Sequence, residues 1–131
     1  MILDTSYLIK LFDGHPGAHE KARELHEERE IQRIPTPVFS EIEYGAEYEL
    51  EEDEQRRIRN VSRMYSVTRL DEEMARRAGQ LYARADEKQS GNSGADAIDA
   101  MVAAVAETAG ETVITENITD FRQLGVGVES F

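Results

Sequence analysis

The sequence predicts an α/β fold built on a mostly parallel central sheet. Two observations carry this. Short apolar runs at residues 1–3, 31–34, 65–70, 112–115 and 126–128 have the length and alternation of strands, and segments with helical apolar spacing separate them.

The elements follow in order. Ile2 and Leu3 form the first apolar run, and Asp4, Thr5 and Ser6 can each cap the helix that carries Tyr7, Leu8, Leu11 and Phe12 as far as Gly14. A charged helix follows Pro16, with Ala18, Ala22 and Leu25 on its apolar side. After the strand at 31–34, Thr36-Pro37 opens a helix with a capping residue ahead of a first-turn proline, and Phe39, Ile42 and Ala46 form its stripe. A very polar helix covers about 51–64, and the strand at 65–70 leads to Asp71, which caps a long helix with Met74, Ala78, Leu81, Tyr82 and Ala85 inward. Residues 89–94 read as a plain loop. Residues 95–109 form a nearly all-apolar helix ended by Gly110. A strand at 112–115, a helical turn at 120–124 and a strand at 126–128 complete the chain, which is read as one domain over 1–131.

Composition narrows the class. Fifteen Lys and Arg against 27 Asp and Glu give a net charge of −12. With 40% hydrophobic residues the chain is too apolar for a disordered acidic polymer. No run approaches the roughly 20 apolar residues of a membrane span, and the first residues do not form a signal peptide, so a soluble, cytoplasmic protein is expected. The absence of cysteine excludes disulfides, thiolate metal ligands and a cysteine nucleophile. The acid excess argues against a nucleic-acid partner only at low salt. Twelve arginines against three lysines, Lys10, Lys21 and Lys88, suit a halophilic surface, and screening within about 3 Å at 1 M salt removes the long-range repulsion.

The informative acids are those that the pattern buries. In the helix beginning near residue 95, Ile98, Met101, Val102 and Val105 form a stripe and alanines cover most of the rest. Asp96 and Asp99 share one face of it. Asp96 suits the first turn, where an acid meets the positive end of the helix dipole. Asp99 lies about a turn deeper, where a buried carboxylate requires a cation, a metal or a proton. Asp4 and the run Thr115-Glu116-Asn117 follow apolar strands, and in α/β sheets ligands bind at the carboxyl ends of strands. Asp120 lies three residues further on. On the helix after Thr36, periodicity leaves Glu41, Glu43 and Glu47 open as inward acids. Carboxylates converging in one pocket need hard divalent cations, and Mg²⁺ or Mn²⁺ suits an all-oxygen site. Such ions activate water for in-line attack on a phosphodiester and stabilise the leaving oxygen.

Four segments, taken in this order and spacing, resemble the PIN-domain ribonucleases, and among them the VapC-type toxins of toxin–antitoxin pairs. They are Ile2-Leu3-Asp4-Thr5-Ser6, Ser40-Glu41-Ile42-Glu43-Tyr44-Gly45, the run from Asp99 to Ala106, and the run from Val113 to Phe121. The resemblance implies a three-layer α/β/α sandwich and places Asp4, Glu41 and Asp99 at the three acidic positions that hold Mg²⁺. Asn117 occupies the fourth position, often Asp in the family, with Asp120 as a supplementary acid. The expected catalytic set is therefore Asp4, Glu41, Asp99, Asn117 and Asp120, and the expected metal ligands are Asp4, Glu41, Asp96, Asp99 and Asp120. Thr5, Ser6 and Thr115 match small hydroxyl positions that orient water or ligands, and Glu116 stands where many relatives carry Arg. The resemblance further implies cleavage of RNA to 5′-phosphate and 3′-hydroxyl ends, a homodimer, and a cognate antitoxin whose C-terminal segment blocks the pocket.

Other readings are a PIN nuclease that processes RNA without an antitoxin, and a PIN-fold binding module without catalysis, suggested by Asn117. His15, His19 and His26 lack a zinc-binding pattern and read as solvated surface residues. Arg56, Arg57, Arg59 and Arg63 stand near Glu51, Glu52, Asp53 and Glu54 and read as a charge-laced exposed helix, with an RNA-binding or antitoxin-binding role as the alternative.

Overall fold

The computed structural model describes residues 1–131. Five strands form an all-parallel sheet: β1 (Ile2–Leu3), β2 (Arg33–Pro35), β3 (Ser66–Thr68), β4 (Val113–Ile114) and β5 (Val128–Glu129). Their spatial order is β3-β2-β1-β4-β5. Adjacent residues of a strand point to opposite faces. Ile2 and Leu3 in β1 and Val113 and Ile114 in β4 are all fully buried, so both faces of the sheet centre are covered. This is the α/β/α layering expected of the chain, with β1 paired to β4 in the register Ile2–Val113 and Leu3–Ile114.

Seven helices supply the layers: α1 (Thr5–Phe12), α2 (Pro16–Glu27), α3 (Thr36–Glu49), α4 (Glu52–Ser62), α5 (Glu72–Lys88), α6 (Ala97–Ala109) and α7 (Ile118–Gln123). Helices α1 to α4 pack on one another, while α5 and α6 pair most extensively and α6 also touches α3, α7 and β1. The composition of α6 explains its central place. Ala100, Val102, Ala103, Ala104, Val105 and Ala106 are buried, and the alanines let neighbouring backbones approach on several sides. Ile98 and Met101, expected inside, are only half-buried. Gly110 ends α6 in the left-handed conformation (φ 67°), which costs a glycine nothing.

Several boundaries differ from the sequence expectation. The strands at 31–34, 65–70 and 126–128 form instead at Arg33–Pro35, Ser66–Thr68 and Val128–Glu129, because pairing register decides which residues of an apolar run join the ladder. Pro35 rather than Thr36 takes the N-cap position of α3, and the Thr36 hydroxyl accepts from the Leu70 amide at 3.1 Å, tying α3 to the segment after β3. The final helical turn begins earlier, at Ile118, with Asn117 at its N-cap position.

The order of strands fixes where a ligand can sit. From β1 the chain builds outward through β2 and β3 on one side, then returns to place β4 and β5 on the other. The switch point therefore lies between β1 and β4, and their carboxyl ends open a crevice there. Asp4 follows β1 and Thr115 follows β4.

Candidate metal centre

Asp4 occupies the N-cap position of α1 but makes no side-chain cap bond. Its carboxylate is turned to other partners. The buried Thr115 hydroxyl donates to Asp4 Oδ2 at 2.7 Å, and the Ser6 hydroxyl donates to the same oxygen at 3.0 Å. Each hydroxyl in turn accepts a backbone amide from the segment after β4: Asn117 N–H to Thr115 Oγ1 at 3.0 Å and Glu116 N–H to Ser6 Oγ at 3.1 Å. Two amide–hydroxyl–carboxylate chains thus hold one oxygen of Asp4 and leave Oδ1 without a hydroxyl donor. Burial raises the Asp4 pKa above the ordinary carboxylate value, and the hydroxyl bonds offset only part of the rise.

Helix α3 resolves the three glutamates. Glu41 is half-buried and accepts from the Thr5 hydroxyl at 2.7 Å. Glu43 turns away to Arg59 of α4, which binds it with Nε at 3.0 Å and Nη2 at 2.7 Å, and Glu47 lies 3.8 Å from the same guanidinium. Burial raises the pKa of Glu41, and repulsion from Asp4 and Asp96 adds to it.

Asp96 and Asp99 form a reciprocal capping box on α6. The Asp99 amide donates to Asp96 Oδ1 at 2.8 Å, and the Asp96 amide donates to Asp99 Oδ2 at 3.1 Å. Capping therefore accounts for one oxygen of Asp99, although its place about a turn deeper than Asp96 made capping the weaker explanation in sequence. The other oxygen has no such partner. Burial first, then the charges of Asp96, Asp4 and Glu41, push the Asp99 pKa up to about 7.

These acids line a single pocket of about 380 Å³ together with Asp120, Glu116, Asn117, Thr5, Ser6, Ile9, Lys10 and Gly94. All the expected site residues are thus brought together: Asp4, Glu41, Asp96, Asp99, Asn117 and Asp120. Asn117 is exposed and its side chain does not cap α7, while Asp120 is half-buried. Three lining residues, Ile9, Lys10 and Gly94, were not among those expected. Gly94 has a sequence signal, since a glycine ahead of a helix cap marks a special backbone position. Its φ is +85°, and a Cβ there would lie 2.9 Å from Asp120 Oδ1. The 89–94 segment is accordingly more than a plain loop, and its Ser93 is buried with amide and hydroxyl both donating to Asp86 Oδ1, at 3.0 and 2.8 Å.

The donor set is all oxygen, and the pocket holds six carboxylates against one amine. This composition fits Mg²⁺ or Mn²⁺. No three His, Asp or Glu side chains are already drawn into a closed ligand set, so the acids ring the pocket instead of meeting at one point.

The histidines lie elsewhere. His15 caps α2, its Nδ1 accepting from the Ala18 amide at 3.2 Å, and packs edge-on to Phe131; His19 Nε2 lies 3.0 Å from the Leu11 carbonyl. All three are exposed, as expected, but the capping role of His15 was not foreseen. Of the arginines near residue 60, Arg56 pairs with Asp53 at 3.6 Å and Arg57 lies over the Phe12 ring at 5.4 Å. No helix is long and apolar enough to cross a membrane.

A family model described as PIN domain matches residues 1–126. No curated protein matches the chain by sequence. Solved structures do match its fold. VapBC2 from Rickettsia felis, bound to a DNA fragment from its promoter, aligns with a TM-score of 0.81 at 19% identity, over 99% of this chain and 97% of that one. DNA-bound VapBC from Salmonella typhimurium aligns with a TM-score of 0.78 at 25% identity, over 98% and 96%. VapC20 from Mycobacterium tuberculosis, described as a sarcin-ricin loop cleaving toxin, aligns with a TM-score of 0.69 at 16% identity, over 95% of each chain.

Proposed function

The chain belongs to the PIN domain family, and from that premise we propose that it is a metal-dependent endoribonuclease acting as the toxin of a VapBC-type toxin–antitoxin pair. The observation that carries the reading is the convergence of Asp4, Glu41 and Asp99 on one pocket at the β1–β4 switch point. Asp4, Glu41 and Asp99 would hold Mg²⁺ or Mn²⁺, with Asp96, Asn117 and Asp120 as further oxygen donors. Bound there, the ion supplies neutralisation of the carboxylates and activation of water for attack on a phosphodiester. The protein's own part is orientation. Thr115 and Ser6 fix Asp4, Thr5 fixes Glu41, and the capping box fixes Asp99. Such outer partners set the direction in which a ligand presents its lone pairs. No side chain is needed as nucleophile.

The toxin role and the antitoxin partner are supported by the VapBC complexes among the similar structures, one of them at 25% identity. RNA as substrate is supported by the sarcin-ricin loop cleavage ascribed to VapC20. A homodimer is part of the same proposal. The test compares Mg²⁺-dependent cleavage of total cellular RNA by the wild-type chain and by Asp99→Asn. Cleavage is expected from the first and not from the second, and equal activity in both would remove the assignment.

A further inference from the structure

Lys10 is the one basic residue lining the carboxylate pocket. It lies on α1 six residues beyond Asp4, about 9 Å further along the axis at 1.5 Å per residue. It is four residues beyond Ser6 and so shares that residue's face of the helix. The side chain is part-buried, yet it forms no ion pair with any of the acids on the same wall.

That isolation is unusual within this molecule. Every other part-buried cation is paired: Lys21 with Glu129 at 2.8 Å, Arg33 with Glu111 at 3.1 Å, Arg59 with Glu43 at 2.7 Å and Arg77 with Glu107 at 2.7 Å. The charge of each of these four is already met by a carboxylate, whereas that of Lys10 is not. Its ammonium offers three donors and a compact charge, which suits a phosphate oxygen. The pocket otherwise presents only negative or neutral groups to a polyanion, so a strand entering it would find one fixed protein charge of the right sign.

We propose that Lys10 is a substrate-binding residue that holds a backbone phosphate of the RNA strand beside the one being cleaved. The assignment rests on the nuclease reading of the pocket. It gives α1 two tasks: its first residues orient Asp4 and Glu41, and its second turn grips the strand. Lys10 acts on the docked strand and takes no part in the bond-breaking step, so its loss falls on binding.

The test measures binding and turnover separately. A labelled single-stranded RNA is titrated by fluorescence anisotropy in Mg²⁺ with the Asp99→Asn chain, carrying Lys10, Lys10→Ala or Lys10→Arg, between about 50 and 200 mM KCl. Lys10→Ala is expected to weaken binding roughly tenfold and to make the slope of log affinity against log salt shallower by about 0.7, the contribution of one phosphate contact on a single strand. Lys10→Arg should stay within about twofold, since the charge is kept. In the cleavage-competent chain, Lys10→Ala should raise KM by the same factor and leave kcat within about twofold. Unchanged affinity and salt slope in Lys10→Ala would overturn the role of Lys10 alone while cleavage by the wild-type chain left the nuclease reading standing. A fall in kcat at constant KM would also overturn it, by showing that the charge serves the carboxylates. Absence of both RNA binding and RNA cleavage with Lys10 intact would remove the nuclease reading and this proposal together.

Discussion

The Thr115 hydroxyl donates to Asp4 Oδ2 across 2.7 Å, joining the residues that follow β4 and β1, which are 111 positions apart in the chain. Thr115 is fully buried, and its oxygen also accepts from the Asn117 amide. Thr115→Val keeps the shape and removes both bonds. The part-buried Asn117 amide and the buried Asp4 carboxylate each lose a partner, at a cost of about 1–3 kcal/mol. Only the Ser6 hydroxyl then orients Asp4, so affinity for Mn²⁺ should fall on the order of tenfold. Thermal melting in EDTA and calorimetric titration with Mn²⁺ check the two effects. Unchanged metal affinity would show that Thr115 only supports the fold.

A pH dependence follows from Asp99. Its pKa in the folded chain is raised from 3.8 to about 7, so between those values the folded state binds the proton more tightly than the unfolded state. Stability from this group is complete below about pH 4 and is lost as pH rises through 7. The loss is on the order of 2–4 kcal/mol for the metal-free chain. Asp99→Asn retains an oxygen for the Asp96 amide and cannot ionise. In EDTA its melting temperature should exceed that of the wild-type chain at pH 8 and approach it at pH 5. A wild-type advantage at pH 8 would contradict the direction of the shift.

Gly94 and Asp120 make a coupled pair. A methyl group at residue 94 meets Asp120 Oδ1 at 2.9 Å, and the φ of +85° disfavours any side chain there. Gly94→Ala should cost about 1–3 kcal/mol through the backbone alone. The steric part should vanish in an Asp120→Ala background. A double-mutant cycle read by chemical denaturation should therefore show a coupling of at least about 0.5 kcal/mol, in the sense that the second change hurts less than it does alone. Strict additivity would mean that Asp120 moves aside freely.

Much of this architecture is legible in the residue pattern, and the reasons are physical. Ile2-Leu3 and Val113-Ile114 are apolar without alternation because parallel strands are covered on both faces. The acids after them are visible because ligands collect at strand ends. Other features need the tertiary structure. Periodicity alone could not separate Glu41 from Glu43, since the choice depends on Arg59 of the neighbouring helix α4 drawing Glu43 away. The spacing of Asp96 and Asp99 is that of a capping box and of a ligand pair alike, and the structure uses it at least for the first. Lys10 looks like any surface lysine in sequence. Only the folded pocket shows it beside six acids with no ion pair.

The net charge of −12 leads to the last prediction. The acids outside the pocket are concentrated on exposed helix surface, as at Glu47, Glu49, Glu51, Glu52 and Asp53. Like charges at that density destabilise the compact state through self-repulsion, and the repulsion is screened as the Debye length falls from about 10 Å at 0.1 M salt to about 3 Å at 1 M. The exposed ion pairs, such as Arg23 with Glu20 and Arg76 with Glu72, are weakened by the same salt, but each contributes little. With 27 acids against 15 bases, relief of repulsion outweighs the lost pairs. The melting temperature should rise between 0.1 and 1 M KCl by several degrees, on the order of 1 kcal/mol in a domain of this size. Cleavage should persist at molar KCl, because an ion held by the carboxylates would be screened less than surface contacts are. A flat or falling melting curve over that range, or loss of activity with the fold intact, would remove the halophilic reading of the surface.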